Sequence, residues 1–361
     1  MLPAAVRRTE RSLLRLFKVS TGLSSSCSSS CSSSSSSCRS FSLSAVSSTT
    51  TTTTTTTTNV PPSISFSGAG FLGVYHAGAS SYLLSRGLLL PNSPKQTLLG
   101  SSAGALMGAG VQCNLAPEAT LEIAAALSAA ARAAGPLNSL TPGFSLLDSL
   151  LPLLDQHLLA AIGPDRAAAD DHVRNTLTNL RVYLTPPTPL SGAFSYSSHC
   201  YLDTFPDLNI LTAACLLSSY VPVGTGPLSP RPGDAVARAA KALEAVEPSR
   251  DGKDGEDAVR LPARGLWYDG GLAAMWPTVN TSTLVISPVS IRSSRNICIS
   301  PPPSSGLYVP GGNGIEVNVS LPNASAVHRM LHPSTDDEYR KIFESGYEDA
   351  RRVCVEEGLA R

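Results

Sequence analysis

From residue 60 onward, short apolar runs alternate with longer stretches of mixed character. Ile64-Ser-Phe66, bounded by Pro61-Pro62 and Gly68, predicts a buried strand. Val74, Ala77, Tyr82 and Leu83 are among the apolar positions of a predicted helix over 73–86, which stops near Gly87. The order then repeats, with a strand over 97–99 and a helix over 102–111. Strand, loop and helix twice in succession predict an α/β fold with a mainly parallel central sheet flanked by helices.

Further along, helices are expected over 121–134 and 143–161. The second carries a leucine-rich face of Phe144, Leu147, Leu150, Leu151, Leu154, Leu158 and Leu159. Core packing is the default for such a face, and contact with a lipid surface is the alternative. Strands are expected over 181–184, 194–200 and 283–287, a buried helix over 210–219, and a charged amphipathic helix over 336–359. Residues 224–263 are rich in Pro, Gly and charge around an Ala-rich helical centre, and read as a surface insertion.

Composition sets the boundaries. Residues 24–58 are almost entirely Ser and Thr, ending in an unbroken threonine run from Thr49 to Thr58. Such a tract has little apolar surface to bury, so residues 1–60 read as a disordered tail. Its basic, acid-poor start (Arg7, Arg8, Arg11, Arg15, Lys18) also suits an organellar transit peptide. Roughly 300 residues remain, enough for one large domain or a domain plus an extension. Lys and Arg total 27 and Asp and Glu total 27, so no net field favours a nucleic acid partner. The eight cysteines show no metal-ligand spacing and read as free, mostly buried thiols. No run of about 18 uncharged apolar residues occurs, so no transmembrane helix is expected.

Two glycine motifs carry the chemistry. Gly68-Ala69-Gly70-Phe71-Leu72-Gly73 lies between the first strand and its helix. Dinucleotide-binding loops share this spacing, but they need an acidic residue about 20 positions on to hold a ribose hydroxyl. None occurs between Glu10 and Glu118. What survives is a tight backbone turn that aims N–H groups at an anion, as an oxyanion hole requires. Gly100-Ser-Ser102-Ala-Gly104 follows, and only Ser102 has glycine two residues away on both sides. That pattern places a serine on a sharp strand-to-helix turn, exposed as a nucleophile.

A serine nucleophile needs a base. Asp269 is followed by Gly270 and Gly271, which allow a tight turn carrying the carboxylate. A Ser102–Asp269 dyad fits, and so does a triad of Ser102, Asp269 and His328 or His332. The early position of the serine, after only the second strand, favours the dyad over the α/β-hydrolase order.

GAGFLG, GSSAG and DGG, in this order, resemble the patatin-like phospholipases. FSGAGFLGVYHAG, ISPVSIRSSRNICIS and YRKIFESGYEDARRV bring the resemblance closer to the adipose triglyceride lipase and adiponutrin branch, over residues 62–356. The resemblance implies a three-layer fold, with a catalytic domain over 61–290 and a C-terminal extension over 291–361 packing on it. It implies Ser102 as nucleophile, Asp269 as base, and backbone N–H groups of Gly68, Ala69, Gly70, Phe71, Leu72 and Gly73 as the oxyanion site. Gly100 and Gly104 would shape the nucleophile elbow, and Gly270 and Gly271 the aspartate loop. The implied reaction is hydrolysis of lipid carboxylic esters at a membrane or droplet surface, with neither metal nor cofactor. An inactive lipid-binding protein on the same fold is the alternative. It is motivated by Leu272-Ala-Ala274-Met275-Trp276, where the family often has an acidic residue and an asparagine.

Overall fold

The computed structural model describes residues 60–135, 144–185, 200–222, 224–227, 229–244, 246, 267–304 and 306–359. The Ser/Thr tail, the expected strand over 194–199 and the charged end of the expected insertion lie outside the described residues.

The strands are β1 (Ser63–Phe66), β2 (Thr97–Ser101), β3 (Leu180–Leu184), β4 (Cys200–Leu202), β5 (Thr283–Ile286), β6 (Ile291–Ser293), β7 (Cys298–Ile299), β8 (Leu307–Gly312) and β9 (Ile315–Val319). Six of them form the central sheet in the order β4-β3-β2-β1-β5-β7. All its pairings are parallel except β3 with β4 at one edge. β1 and β5 are buried at every position, as parallel strands covered on both faces must be, which explains their short, uninterrupted apolar and small-residue runs. In register, Ile64 lies between Leu98 and Leu284, and Phe66 between Gly100 and Ile286.

The chain leaves β1 for β2 and β3 on one side and returns through β5 on the other. The strand order reverses between β1 and β5, and at the carboxyl ends of such a pair open α/β sheets form a ligand crevice. The first glycine motif leaves the sheet at the carboxyl end of β1 and the second at the neighbouring end of β2.

The helices are α1 (Gly73–Ser85), α2 (Ala103–Gln112), α3 (Ala119–Ala133), α4 (Leu146–Ile162), α5 (Arg166–Thr176), α6 (Leu208–Ser218), α7 (Ala235–Leu243), α8 (Leu321–Leu331) and α9 (Asp336–Glu356). α1 and α6 are buried on almost every side, consistent with their weak polar and apolar segregation. In α4, Leu147, Leu150, Leu154 and Leu158 are all buried, so the leucine face turns into the protein. No single described helix is long and apolar enough to cross a membrane. α4 and α5 reach that length and composition only as a pair bent by 83°.

One expectation changes. The described part of the insertion is not all surface: α7 packs on α6 and buries Ala235, Val236 and Ala239. The C-terminal region belongs to the same compact unit as the rest of the described chain. It contributes β7 to the central sheet, a small antiparallel sheet in the order β6-β9-β8, and α9. α9 starts on a capping box between Thr335 and Glu338 and crosses α1 at close range. Tyr75 donates a hydrogen bond to Asp349 at 2.8 Å, and Tyr82 and Tyr347 meet edge to face at 5.3 Å.

The crossing depends on Gly346, where a Cβ would stand 2.1 Å from the Tyr75 carbonyl oxygen. In an exposed helix, Gly→Ala stabilises by about 1 kcal/mol. Here backbone collision outweighs propensity. Gly346→Ala is expected to lose about 1–3 kcal/mol in urea unfolding, the ordinary range for overpacking. A gain in stability would show that the two helices are not held this close.

Candidate active site

β2 ends at Ser101, and the backbone then turns at Ser102 with φ 54° and ψ −129°. A side-chain-bearing residue held there typically costs about 1–3 kcal/mol and needs its surroundings to enforce it. Gly104 allows the enforcement: a Cβ at this position would lie 2.2 Å from the Phe66 carbonyl oxygen, so only glycine lets the turn press onto β1. Gly100 lies on β2, opposite Phe66 in the ladder. The Ser102 N–H donates to the Ser218 hydroxyl at 2.9 Å, and that hydroxyl donates onward to the Tyr183 carbonyl at 2.7 Å. The Ser102 carbonyl accepts from Ala105 and starts α2. Ser102 therefore sits at the positive end of a helix, 9% exposed, on a turn clamped from two sides.

Asp269 arrives from the far part of the chain. Tyr268 and Thr185 exchange two backbone hydrogen bonds of 3.1 and 3.0 Å at the end of β3. The Asp269 N–H donates to the Tyr220 carbonyl at 2.8 Å, and the Thr185 hydroxyl donates to the Asp269 carbonyl at 2.7 Å. A single 3₁₀ turn, Gly270–Leu272, follows directly. Within it the Gly271 N–H donates to the carboxylate at 2.7 Å. The Ser102 side chain lies close enough to the carboxylate to favour its charged form. Asp269 is 6% exposed, and burial pushes its carboxyl from 3.8 up to about 6, while the Ser102 side chain and the Gly271 N–H pull the other way.

The loop after β1 is narrower in function than its sequence suggests. The Gly68 N–H donates to the Met275 carbonyl at 3.0 Å, the Leu72 N–H to Ala69, and the Gly73 N–H to Gly70. Those three donors are spent inside the protein, which corrects the expectation that the whole span from Gly68 to Gly73 faces an anion. Among the described residues, nothing accepts from the N–H groups of Ala69, Gly70 and Phe71. Gly70 has φ +52°, and a Cβ there would stand 2.2 Å from the Met330 carbonyl oxygen on the last turn of α8. At the other end of the loop, a Cβ on Gly73 would lie 3.1 Å from Ala103 Cβ, so loop and elbow abut.

Three side chains in or near the site have no motif of their own. Ser218 is fully buried and joins the elbow to β3. Met275 offers one carbonyl both to the Gly68 N–H and to the Ser101 hydroxyl, the latter at 3.3 Å. This ties the aspartate loop to the other two motifs without the polar side chains that the Leu272–Trp276 stretch lacks. His76 is fully buried with Nε2 3.3 Å from the Ser67 hydroxyl, and burial pushes its imidazole down to about 3, so it stays neutral beneath the loop.

The other histidines weighed from the sequence lie on the outside. His328 and His332 stack on each other at 4.1 Å, and His332 Nδ1 is 2.9 Å from the His328 carbonyl. Neither is a hydrogen-bond partner of Asp269. Among the described residues, no group of three or more His, Cys, Asp or Glu is placed to hold a metal ion. Cys113, Cys215 and Cys354 are buried free thiols, Cys298 is half-buried and free, and Cys200 is buried.

A family model described as Patatin-like phospholipase matches residues 64–280. The chain belongs to the patatin-like phospholipase family. The matched span holds both glycine motifs and the Asp-Gly-Gly segment, and the six-stranded, mostly parallel sheet flanked by helices is that of a patatin domain. No curated protein matches the chain. Membership in the patatin-like family makes a lipid hydrolase with a lipid substrate the activity this domain suggests.

The buried carboxyl has a consequence for stability. Between pH 3.8 and about 6, folded Asp269 keeps a proton that the unfolded chain has released. Stability from this group is therefore present at low pH and lost as pH rises through that window. A rise of about two pH units corresponds to about 3 kcal/mol. Asp269→Asn removes the titration. Its stability relative to wild type should improve by about 2–3 kcal/mol between pH 4 and pH 7 in urea unfolding. A difference that stays flat with pH would show that the carboxyl is not raised.

Proposed function

We propose that this protein hydrolyses carboxylic esters of lipids through a Ser102–Asp269 dyad. Asp269 takes the Ser102 proton as Oγ attacks the ester carbonyl carbon. The carbonyl electron pair moves onto oxygen, where the N–H groups of Ala69, Gly70 and Phe71 receive it. Collapse of the tetrahedral intermediate breaks the ester bond. Asp269 returns the proton to the departing alcohol, leaving an acyl-serine. Water, deprotonated by Asp269, then attacks the acyl-serine and releases the fatty acid and the free serine. No metal or cofactor takes part in these steps.

The observation that carries this reading is the Ser102 side chain set beside a buried carboxyl raised to about 6. A base poised near the working pH combines a useful ionised fraction with a real drive to accept a proton. The unclaimed N–H groups on the adjoining loop supply electrostatic stabilisation, where loss of one donor typically costs about 10²–10³ in rate. The long motifs point to acylglycerols as substrate and to the adipose triglyceride lipase and adiponutrin branch, acting at a droplet or membrane surface. Residues 61–290 would carry the chemistry. Residues 291–361 would support it, since α8 packs on the oxyanion loop.

Fatty acid release from triacylglycerol and phospholipid emulsions tests this. Wild type is expected to release fatty acid, and folded Ser102→Ala and Asp269→Asn to lose at least about a thousandfold in rate. Ser102→Ala with wild-type release would refute the assignment. A wild type that neither releases fatty acid nor labels with a fluorophosphonate would establish the inactive lipid-binding alternative.

A further inference from the structure

An apolar cavity of about 90 Å³ opens beside the elbow, and nothing in the chemistry above uses it. It is lined by Phe71, Gly73 and Ala103 of the loop and elbow and by residues of α2, α3 and α4, among them Met107, Leu127 and Leu154. Ser102 itself does not line it, but Ala103 is the next residue, and Phe71 carries one of the unclaimed N–H groups. No charged side chain faces the cavity, and the one polar side chain is Thr120.

These features identify the occupant. An acyl group whose carbonyl oxygen reaches the 69–71 N–H groups and whose carbon reaches Ser102 has its alkyl end beside Phe71 and Ala103, which line the cavity. A headgroup, glycerol or sugar would leave its hydroxyls or charges unpaired among leucines, a cost of roughly 2–7 kcal/mol for each neutral polar group buried unpaired. The volume is far below the ~300 Å³ at the small end of ordinary ligand pockets, so it suits a slim group such as the first few methylenes of one hydrocarbon chain. Each methylene buried contributes about 0.8 kcal/mol. The walls can yield to a longer chain: Met107 is flexible, and Leu127 and Ile123 on α3 are only half-buried.

We infer that this cavity between α2, α3 and α4 is the acyl-chain site, and that Ile123 and Leu127 set the chain length the protein accepts. The inference rests on the hydrolase reading and extends it to specificity. It also gives a role to two residues of the leucine face of α4, Leu150 and Leu154, which close the cavity from the core side.

The experiment compares kcat/KM for p-nitrophenyl butyrate, laurate and palmitate in wild type, Ile123→Trp and Leu127→Ala. Folding of each variant is checked by circular dichroism. Ile123→Trp fills the cavity and should lower the laurate-to-butyrate ratio at least about tenfold, the scale on which apolar pockets discriminate chain length. Leu127→Ala enlarges it and should raise the palmitate-to-laurate ratio at least about threefold. If Ile123→Trp does not fold, Leu127→Ala decides alone. Turnover with ratios within about twofold of wild type in the folded variants overturns the acyl-chain site and leaves the dyad intact. Absence of turnover and of fluorophosphonate labelling in wild type overturns the hydrolase reading, and this inference with it.

Discussion

The placement of the Ser102 side chain beside the buried Asp269 carboxyl brings the end of β2 against a segment that returns from far along the chain, and most of the architecture around it can be understood as holding the two together. A carboxyl group buried to 6% exposure pays heavily in lost hydration when ionised. The Gly271 N–H, which donates to it, and the nearby Ser102 side chain offset part of that cost, and the carboxyl settles at about 6. Neither partner holds its position unaided. The serine needs a strained turn, and the aspartate needs its backbone fixed to Thr185 and Tyr220.

That support is built almost wholly from backbone groups and small side chains. Ser218 ties the elbow to β3, and the Tyr268–Thr185 bridge ties the aspartate segment to the same strand end. Met275 closes the arrangement by accepting from both Gly68 and Ser101. The polar side chains expected after Asp-Gly-Gly in relatives are therefore not required to place the loop here. The same bonding limits the Gly68–Gly73 loop, because the donor on Gly68 goes to Met275 and those of Leu72 and Gly73 turn inward. Among the described residues, the N–H groups of Ala69, Gly70 and Phe71 stay unclaimed.

The sequence makes this site partly legible because its essential constraints are local. Glycines two residues either side of Ser102, and after Asp269, report close backbone approaches that no larger residue permits. The central strands and α1, α2 and α6 are legible because burial on both faces or all round demands continuous apolar runs. α5 is not, since only Ala169 and Val173 of its eleven residues are buried and the rest is polar. α8 hides for a similar reason, with Asn323 and Ala326 its buried positions. β8 contains Pro310, Gly311 and Gly312, residues that normally end strands. Ser218 and Met275 have no local signature at all, because their importance comes from partners distant in the chain. The reading of 224–263 as surface failed at α7, whose alanines are small enough to pack closely on α6.

The most direct test of the dyad is the pH dependence of fluorophosphonate labelling at Ser102, measured in wild type and in the His328→Ala/His332→Ala double variant. A buried aspartate acting as the base predicts a labelling rate that rises with pH through an apparent pKa near 6 and then levels off, with the same profile in both proteins. A folded double variant that no longer labels, or a wild-type rate that does not change between pH 4 and pH 8, would contradict it.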